Sequence, residues 1–222
     1  MSIIHYQDRY FHYFWKPAGI PSTFGKKKCF IDILLESTDK DIQAIMSWQQ
    51  ELFDKHQEYG LVNRLDNDTS WLLYFAKTPA IKQRYKQAQL EWNIQKYYIA
   101  DVYGKYLPEK QKISSPIWHH KFSSDRMVVI LDKVVTGKID TKSNKTTRWK
   151  LHHVDTYVEK LYYDPESNIT TLFVTISKWI RHQIRAHLSS IWYPILWEKI
   201  YIKKKQTDIL HLFSVWLKSS IF

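Results

Sequence analysis

The sequence predicts an α+β fold, a mixed and mainly antiparallel β-sheet flanked by helices, and three observations carry that prediction. Short runs rich in β-branched and aromatic residues recur along the chain, among them "WLLYFAKT", "TYVEKLYYD" and "ITTLFVTIS". Residues 40–57 and 181–191 instead space their apolar side chains as a helix does. Strands gather in the second half rather than alternating one by one with helices, which sets the pattern apart from repeated βα units.

In chain order, "YFHYFWKPAGIPSTFG" reads as a strand entering a loop punctuated by Pro17, Gly19, Pro21 and Gly25. The helix over 40–57 turns Ile42, Ile45, Met46, Leu52 and Phe53 toward a core. "WLLYFAKT" is apolar on both alternating faces, as a strand buried on each side should be. Thr78 followed by Pro79 starts a helix, with Thr as N-cap and Pro in the first turn. In "NIQKYYIADVYG" the period of two puts Ile94, Lys96, Tyr98, Ala100 and Val102 on one face, so Tyr98 projects inward and Tyr97 outward. "RMVVILDKVV", "TYVEKLYYD" and "ITTLFVTIS" are further strands, "RHQIRAHLSSI" a helix and "LHLFSVWLK" a late strand. The polar residues 136–148 read as an exposed loop or hairpin. With no repeat and no linker, residues 1–222 are expected to form a single domain.

The 222 residues carry a net charge of +11, which makes a polyanion the expected large partner, because Lys and Arg placed at phosphates release counterions. Lys26–Lys28 and Lys203–Lys205 read as solvated loop faces. No apolar run reaches the roughly 18 to 20 residues of a membrane span, and the first residues lack the series of a signal peptide, so a cytoplasmic protein is expected. Cys29 is the single cysteine, which rules out an intrachain disulfide and cysteine-based zinc sites.

Asp66 lies in the acceptor-rich turn "RLDNDTS" before a buried strand. Read locally, it either organises an Asx turn or presents a carboxylate from the end of a rigid element. Arg181 and Arg185 lie one turn apart in the "RHQIRAHL" pattern, where two guanidiniums suit phosphates or a carboxylate but also fit a solvated basic face. His182 and His187 are five apart, poor spacing for sharing a metal, and with His119–His120 and His152–His153 they read as surface or capping residues.

Four ordered stretches resemble the RluA-like family of RNA pseudouridine synthases. "KPAG" resembles that family's opening motif, "NRLDNDTSWLLYFAKT" its HRLDxxTSGLLLFAKT, "KYYIADVYG" its KxYxAxVxG, and "WIRHQIRAHLSSIWYPILWEKIY" its GRxHQIRxHLxxxGxPIxGDxxY. The resemblance implies the family's catalytic fold and an enzyme that isomerises a specific uridine of rRNA or tRNA without metal or organic cofactor. It implies that Asp66 is the catalytic aspartate, that Tyr98 packs on the target base and that Arg185 holds the Asp66 carboxylate. Substrate contacts are implied at Arg64, Asn63, Arg181, His182 and Gln183. A monomer lacking the S4-type RNA-binding domain of many relatives is expected. A noncatalytic RNA-binding relative and a base-releasing glycosylase are the alternative readings.

The sequence departs from the pattern in three ways. Asn63 stands where His is common, and Ile180 where Arg is common, with Arg181 one place later. Trp71, Trp179, Trp192 and Trp197 occupy glycine positions of the family pattern. Ten Trp against five Gly is inverted for a globular protein, whereas the two together make about the 7% share usual for glycine alone. These four, and most of the ten, are therefore expected to be glycine in the natural protein, UGA codons having been read as tryptophan. Trp118 and Trp192 also sit in turn-like settings. The rival reading makes the indoles stacking platforms for RNA bases.

Overall fold

The computed structural model describes residues 3–120, 126–130, 151–202 and 208–219. The chain packs as two compact units, one of residues 1–96 with 212–222 and the other of residues 97–211.

In the first unit, β1 (His5–Gln7), β2 (Phe11–Lys16), β3 (Ser70–Ala76) and β10 (Leu212–Ser219) lie in that order across a sheet. β1 with β2 and β2 with β3 are antiparallel, while β10 runs parallel to β3. β3 is thus an interior strand, which explains its apolar residues on both faces. Edge-to-face rings fix the register of β2 on β3, with Phe14 and Phe75 at 5.3 Å and Tyr13 and Tyr74 at 4.9 Å.

Helix α1 (Phe30–Leu35) buries Phe30, Ile31 and Leu34. Helix α2 (Lys40–Leu52) starts at Asp39, whose carboxylate accepts from the backbone N–H groups of Asp41 and Ile42. It ends earlier than the apolar spacing implies, because Phe53 turns extended and is itself buried. Ile42 and Met46 enter the core, joined by Gln49, while Ile45 and Leu52 are only half-buried. Helix α3 (Pro79–Leu90) begins as expected, with the Thr78 hydroxyl accepting from the Ile81 N–H and Pro79 in the first turn.

The chain passes into the second unit within β4 (Ile94–Tyr103), whose alternation buries Ile94, Lys96, Tyr98, Ala100 and Val102. On the opposite face Tyr97 stacks against Phe173 at 5.5 Å. Strands follow the order β4, β9 (Ile169–Ile176), β8 (Thr156–Asp164), β5 (Lys110–Ile113). The β9–β8 and β8–β5 pairs are antiparallel. β6 (Ile117–His119) and β7 (Met127–Val129) form a separate antiparallel pair. Ile117 and Met127 from this pair share a small core with Val154 and Ala186. Beyond Ile130, the strand expected over 126–135 and the loop over 136–148 lie outside the described residues, as do Lys203–Lys205.

Helix α4 (Gln183–Ser190) corrects two expectations. Its N-cap is His182 in a left-handed conformation, so Arg181 precedes the helix instead of sharing a face with Arg185. Residues 183–188 are all buried, so α4 has no solvated basic face there, and His187 is a core residue rather than a surface one. The fold is mixed α+β with mostly antiparallel strands. Among the described residues no helix is long and apolar enough to cross a membrane.

Candidate active site

Asp66, Arg64 and Asn63 belong to the first unit, and Tyr98, Arg181, His182, Gln183 and Arg185 to the second. In the first, Asp66 to Thr69 is a tight turn closed by the Thr69 N–H donating to the Asp66 carbonyl at 3.1 Å. The turn is braced by four residues. The Ser22 hydroxyl donates to the Leu65 carbonyl and accepts from the Leu65 N–H, each at 3.0 Å. The Asn63 side chain accepts from the Tyr74 N–H at 2.8 Å and donates to the Leu72 carbonyl at 3.1 Å, so its amide extends the β3 ladder and is already engaged there. Gly19, at φ 83°, donates its N–H to the Asn67 carbonyl at 2.8 Å.

The fourth brace is a buried cation. Lys16 ends β2 wholly buried, and its ammonium donates to the carbonyls of Pro17, Ile20 and Asn67 at 2.9, 2.8 and 3.1 Å. Three acceptors match the three donors of an ammonium. Burial lowers its pKa to about 8, against the opposing pull of Asp68 and Asp66. Lys16 therefore ties the "KPAGI" loop to the Asp66 turn and places positive charge near its carboxylates. Asp66 is half-buried, and Arg64 is exposed, with its guanidinium on Glu58 at 2.5 Å.

In the second unit, Arg185 and Glu198 form a two-pronged ion pair, Nε to Oε2 at 2.7 Å and Nη2 to Oε1 at 2.8 Å. Both side chains are sealed from solvent, 1% and 0% exposed. Burial disfavours the Glu198 carboxylate, but the hydrogen bond and charge of Arg185 and the backbone N–H groups of Ile200 and Tyr201 outweigh it, so its pKa lies below the ordinary value. The resemblance assigns Arg185 to Asp66. Here its Nε and one terminal nitrogen are held by Glu198, which orients the fork of the guanidinium.

Gln183 is buried, donating to the Asp155 carbonyl at 3.0 Å and the Thr156 hydroxyl at 3.1 Å and accepting from the Ile180 N–H at 3.2 Å. His187 bridges Thr156 and the Ser115 carbonyl, each at 2.8 Å, and burial lowers its pKa. Gln183 and His187 together anchor α4 on the start of β8. His182 is buried, with its ring 3.4 Å from the Tyr201 hydroxyl. Tyr98 lies on the buried face of β4, and Arg181 is exposed. Among the residues expected at substrate, Arg64 and Arg181 are thus on the surface, whereas Asn63 and Gln183 have their polar atoms engaged with the protein's own backbone.

The family model for RNA pseudouridylate synthases matches residues 10–190. The chain belongs to that family. It is 27% identical over 215 residues to Ribosomal large subunit pseudouridine synthase C of Buchnera aphidicola subsp. Baizongia pistaciae (strain Bp), which covers 96% of this chain and 58% of that protein. To Ribosomal large subunit pseudouridine synthase D of Nitrosomonas europaea it is 27% identical over 142 residues, 64% of this chain and 35% of that one. The chain thus spans less than two thirds of the length of these relatives. The solved structure of Human RNA Pseudouridylate Synthase Domain Containing 4 superposes with a TM-score of 0.67 at 18% identity, over 96% of this chain and 82% of that one, which establishes the fold.

Two residues of this chain have site roles that the sequence motifs do not assign. Lys16 opens the "KPAG" loop motif, and a lysine closing a strand as aromatic as "FHYFWK" needs buried acceptors. Glu198 stands where the family pattern has Asp, an acidic residue inside the apolar "PILWEKIY". Its partner lies 13 residues away, beyond any local pairing rule.

Proposed function

We propose that this chain, acting over residues 1–222 as one catalytic domain, is an RNA-uridine isomerase that converts a specific uridine of rRNA or tRNA to pseudouridine. The observation that carries the reading is Asp66, held half-buried on a turn that Lys16, Ser22 and Asn63 fix from the protein side, within a chain of the pseudouridylate synthase family. The reaction breaks the uridine N1–C1′ bond, turns the uracil, and joins C5 to C1′. A proton leaves C5 and N1 gains one, so composition is unchanged. Asp66 supplies the carboxylate at the sugar, and Tyr98 the ring against the base and a hydroxyl able to move the C5 proton. Arg185, its guanidinium fork oriented by Glu198, is the arginine that the family resemblance gives a role in the reaction. Arg64 and Arg181 are exposed cations that suit phosphates around an extruded nucleotide, whose unstacking costs a few kcal/mol. His182, at the left-handed start of α4, completes the substrate-contacting set.

Asp66→Asn should abolish pseudouridine formation while leaving RNA affinity within a few-fold, and wild-type turnover by this variant would remove Asp66 from the mechanism. Tyr98→Phe keeps the ring, so a fall in rate without a fall in affinity assigns the hydroxyl to proton transfer. Free uracil in place of pseudouridine would instead favour a glycosylase. Pseudouridine mapping of cellular RNA with and without the protein identifies the target.

A further inference from the structure

Eight residues other than glycine have left-handed backbone among the described residues, and four of them are tryptophan: Trp71, Trp92, Trp192 and Trp197, at φ 85°, 59°, 69° and 63°. Asn168 and His182 are of types that visit this region by choice, but a bulky side chain there is a genuine outlier. We infer that the functional form of this protein carries glycine at 71, 92, 192 and 197.

The local hydrogen bonds make the case without reference to any relative. Trp92 follows the C-cap of α3, its N–H donating to the Gln89 carbonyl at 3.3 Å while the Asn93 N–H reaches the Ala88 carbonyl at 2.9 Å. Trp192 follows the C-cap of α4 with the same pair of bonds, Trp192 N–H to the Ser189 carbonyl at 3.3 Å and Tyr193 N–H to the Leu188 carbonyl at 3.0 Å. Both are Schellman endings, whose left-handed position is glycine's most characteristic place in a helical protein. The two indoles are 49% and 89% exposed, so burial gives little to offset the backbone cost.

Trp197 is the third residue of a four-residue turn closed by the Glu198 N–H on the Ile195 carbonyl at 3.1 Å, and a positive φ there calls for Gly or Asn. This turn delivers Glu198 to Arg185. Trp71 sits inside β3, paired with Lys16 and Ser214, its indole wedged between Trp15 at 4.7 Å and Phe213 at 4.9 Å. A left-handed residue inside a strand is a glycine position, here five residues after Asp66. Trp179, also expected to be glycine, has no left-handed backbone, so the geometry assigns these four and leaves 179 aside. A codon such as UGA, inserted as glycine in the source cell and read as tryptophan in the printed sequence, gives this pattern.

The test is the mass of three tryptic peptides, residues 65–77, 87–96 and 186–199, from the protein purified out of its source cells; together they contain all four positions. Glycine masses are expected in all three, and a tryptophan mass overturns the inference for its position. Independently of activity, the recombinant chain as printed should melt roughly 2–8 °C below its Trp92→Gly/Trp192→Gly variant, since both exchanges relieve a left-handed bulky residue on an exposed turn. An equal or lower melting temperature for the variant would overturn the structural argument.

Discussion

Replacing Glu198 by Gln should test the buried ion pair that orients Arg185. The side chain keeps its shape but loses its charge, and its amide nitrogen turns a donor toward one of two guanidinium donors now held at 2.7 and 2.8 Å. With both partners at most 1% exposed, solvent cannot take over the lost interaction, and breaking one partner of such a pair costs about 3–5 kcal/mol. Coulomb's law at an effective dielectric of about 20 gives about 4 kcal/mol for unit charges 4 Å apart, the same range. Urea unfolding at pH 7, followed by circular dichroism, should therefore show the variant's midpoint lower by roughly 1–2 M for a slope of about 3 kcal/mol per M. The pH dependence carries the same sign. Because the folded pKa of Glu198 lies below 4.5, the pair's stabilisation is present above that value and is lost as pH falls through the folded pKa, so wild type and variant should converge in acid. A loss under about 1 kcal/mol at pH 7, or a gap that persists in acid, would refute the account of Arg185 as a desolvated cation needing this carboxylate.

Gly60→Ala should destabilise by more than about 1 kcal/mol, since Gly60 has φ 88° and an added Cβ would lie 2.9 Å from the Ala76 carbonyl oxygen; Gly25→Ala, with open space around it, should stay within about 0.5 kcal/mol in the same denaturation assay. Lys16→Met should cost about 3 kcal/mol or more by leaving three carbonyls without their donor, and should slow turnover by loosening the Asp66 turn. Burial, with the charges of Lys77 and His5, lowers the His12 pKa to about 4. The unfolded chain therefore takes up a proton that the folded one refuses, so the His12 contribution to stability is full above about pH 6.5 and disappears as pH falls through about 4; His12→Phe should flatten that limb of the stability profile. RNA binding should weaken steeply with salt, and Arg181→Ala, on an exposed side chain, should reduce the slope of log affinity against log salt by about one.

The elements set by short-range pattern were legible in the sequence. Thr78 and Pro79 start α3, the alternation of β4 puts Tyr98 inward, and β8 runs over the residues of "TYVEKLYYD", because capping and a period of two depend on neighbours a few positions away. The motifs around Asp66 were legible through their resemblance to the family pattern, and so was the departure of Trp71, Trp192 and Trp197 from its glycine positions, where the backbone is left-handed. The early end of α2 was not, since Phe53 leaves the helix to fill a core position that only packing defines. Nor was the burial of Arg185: its spacing from Arg181 allowed a solvated basic face, and what encloses it is a carboxylate from a separate turn. Lys16 similarly finds one of its three acceptors 51 residues away. Local sequence determines which backbone states and faces are available, but a buried charge is decided by partners brought together from distant segments, and that only the tertiary structure could supply.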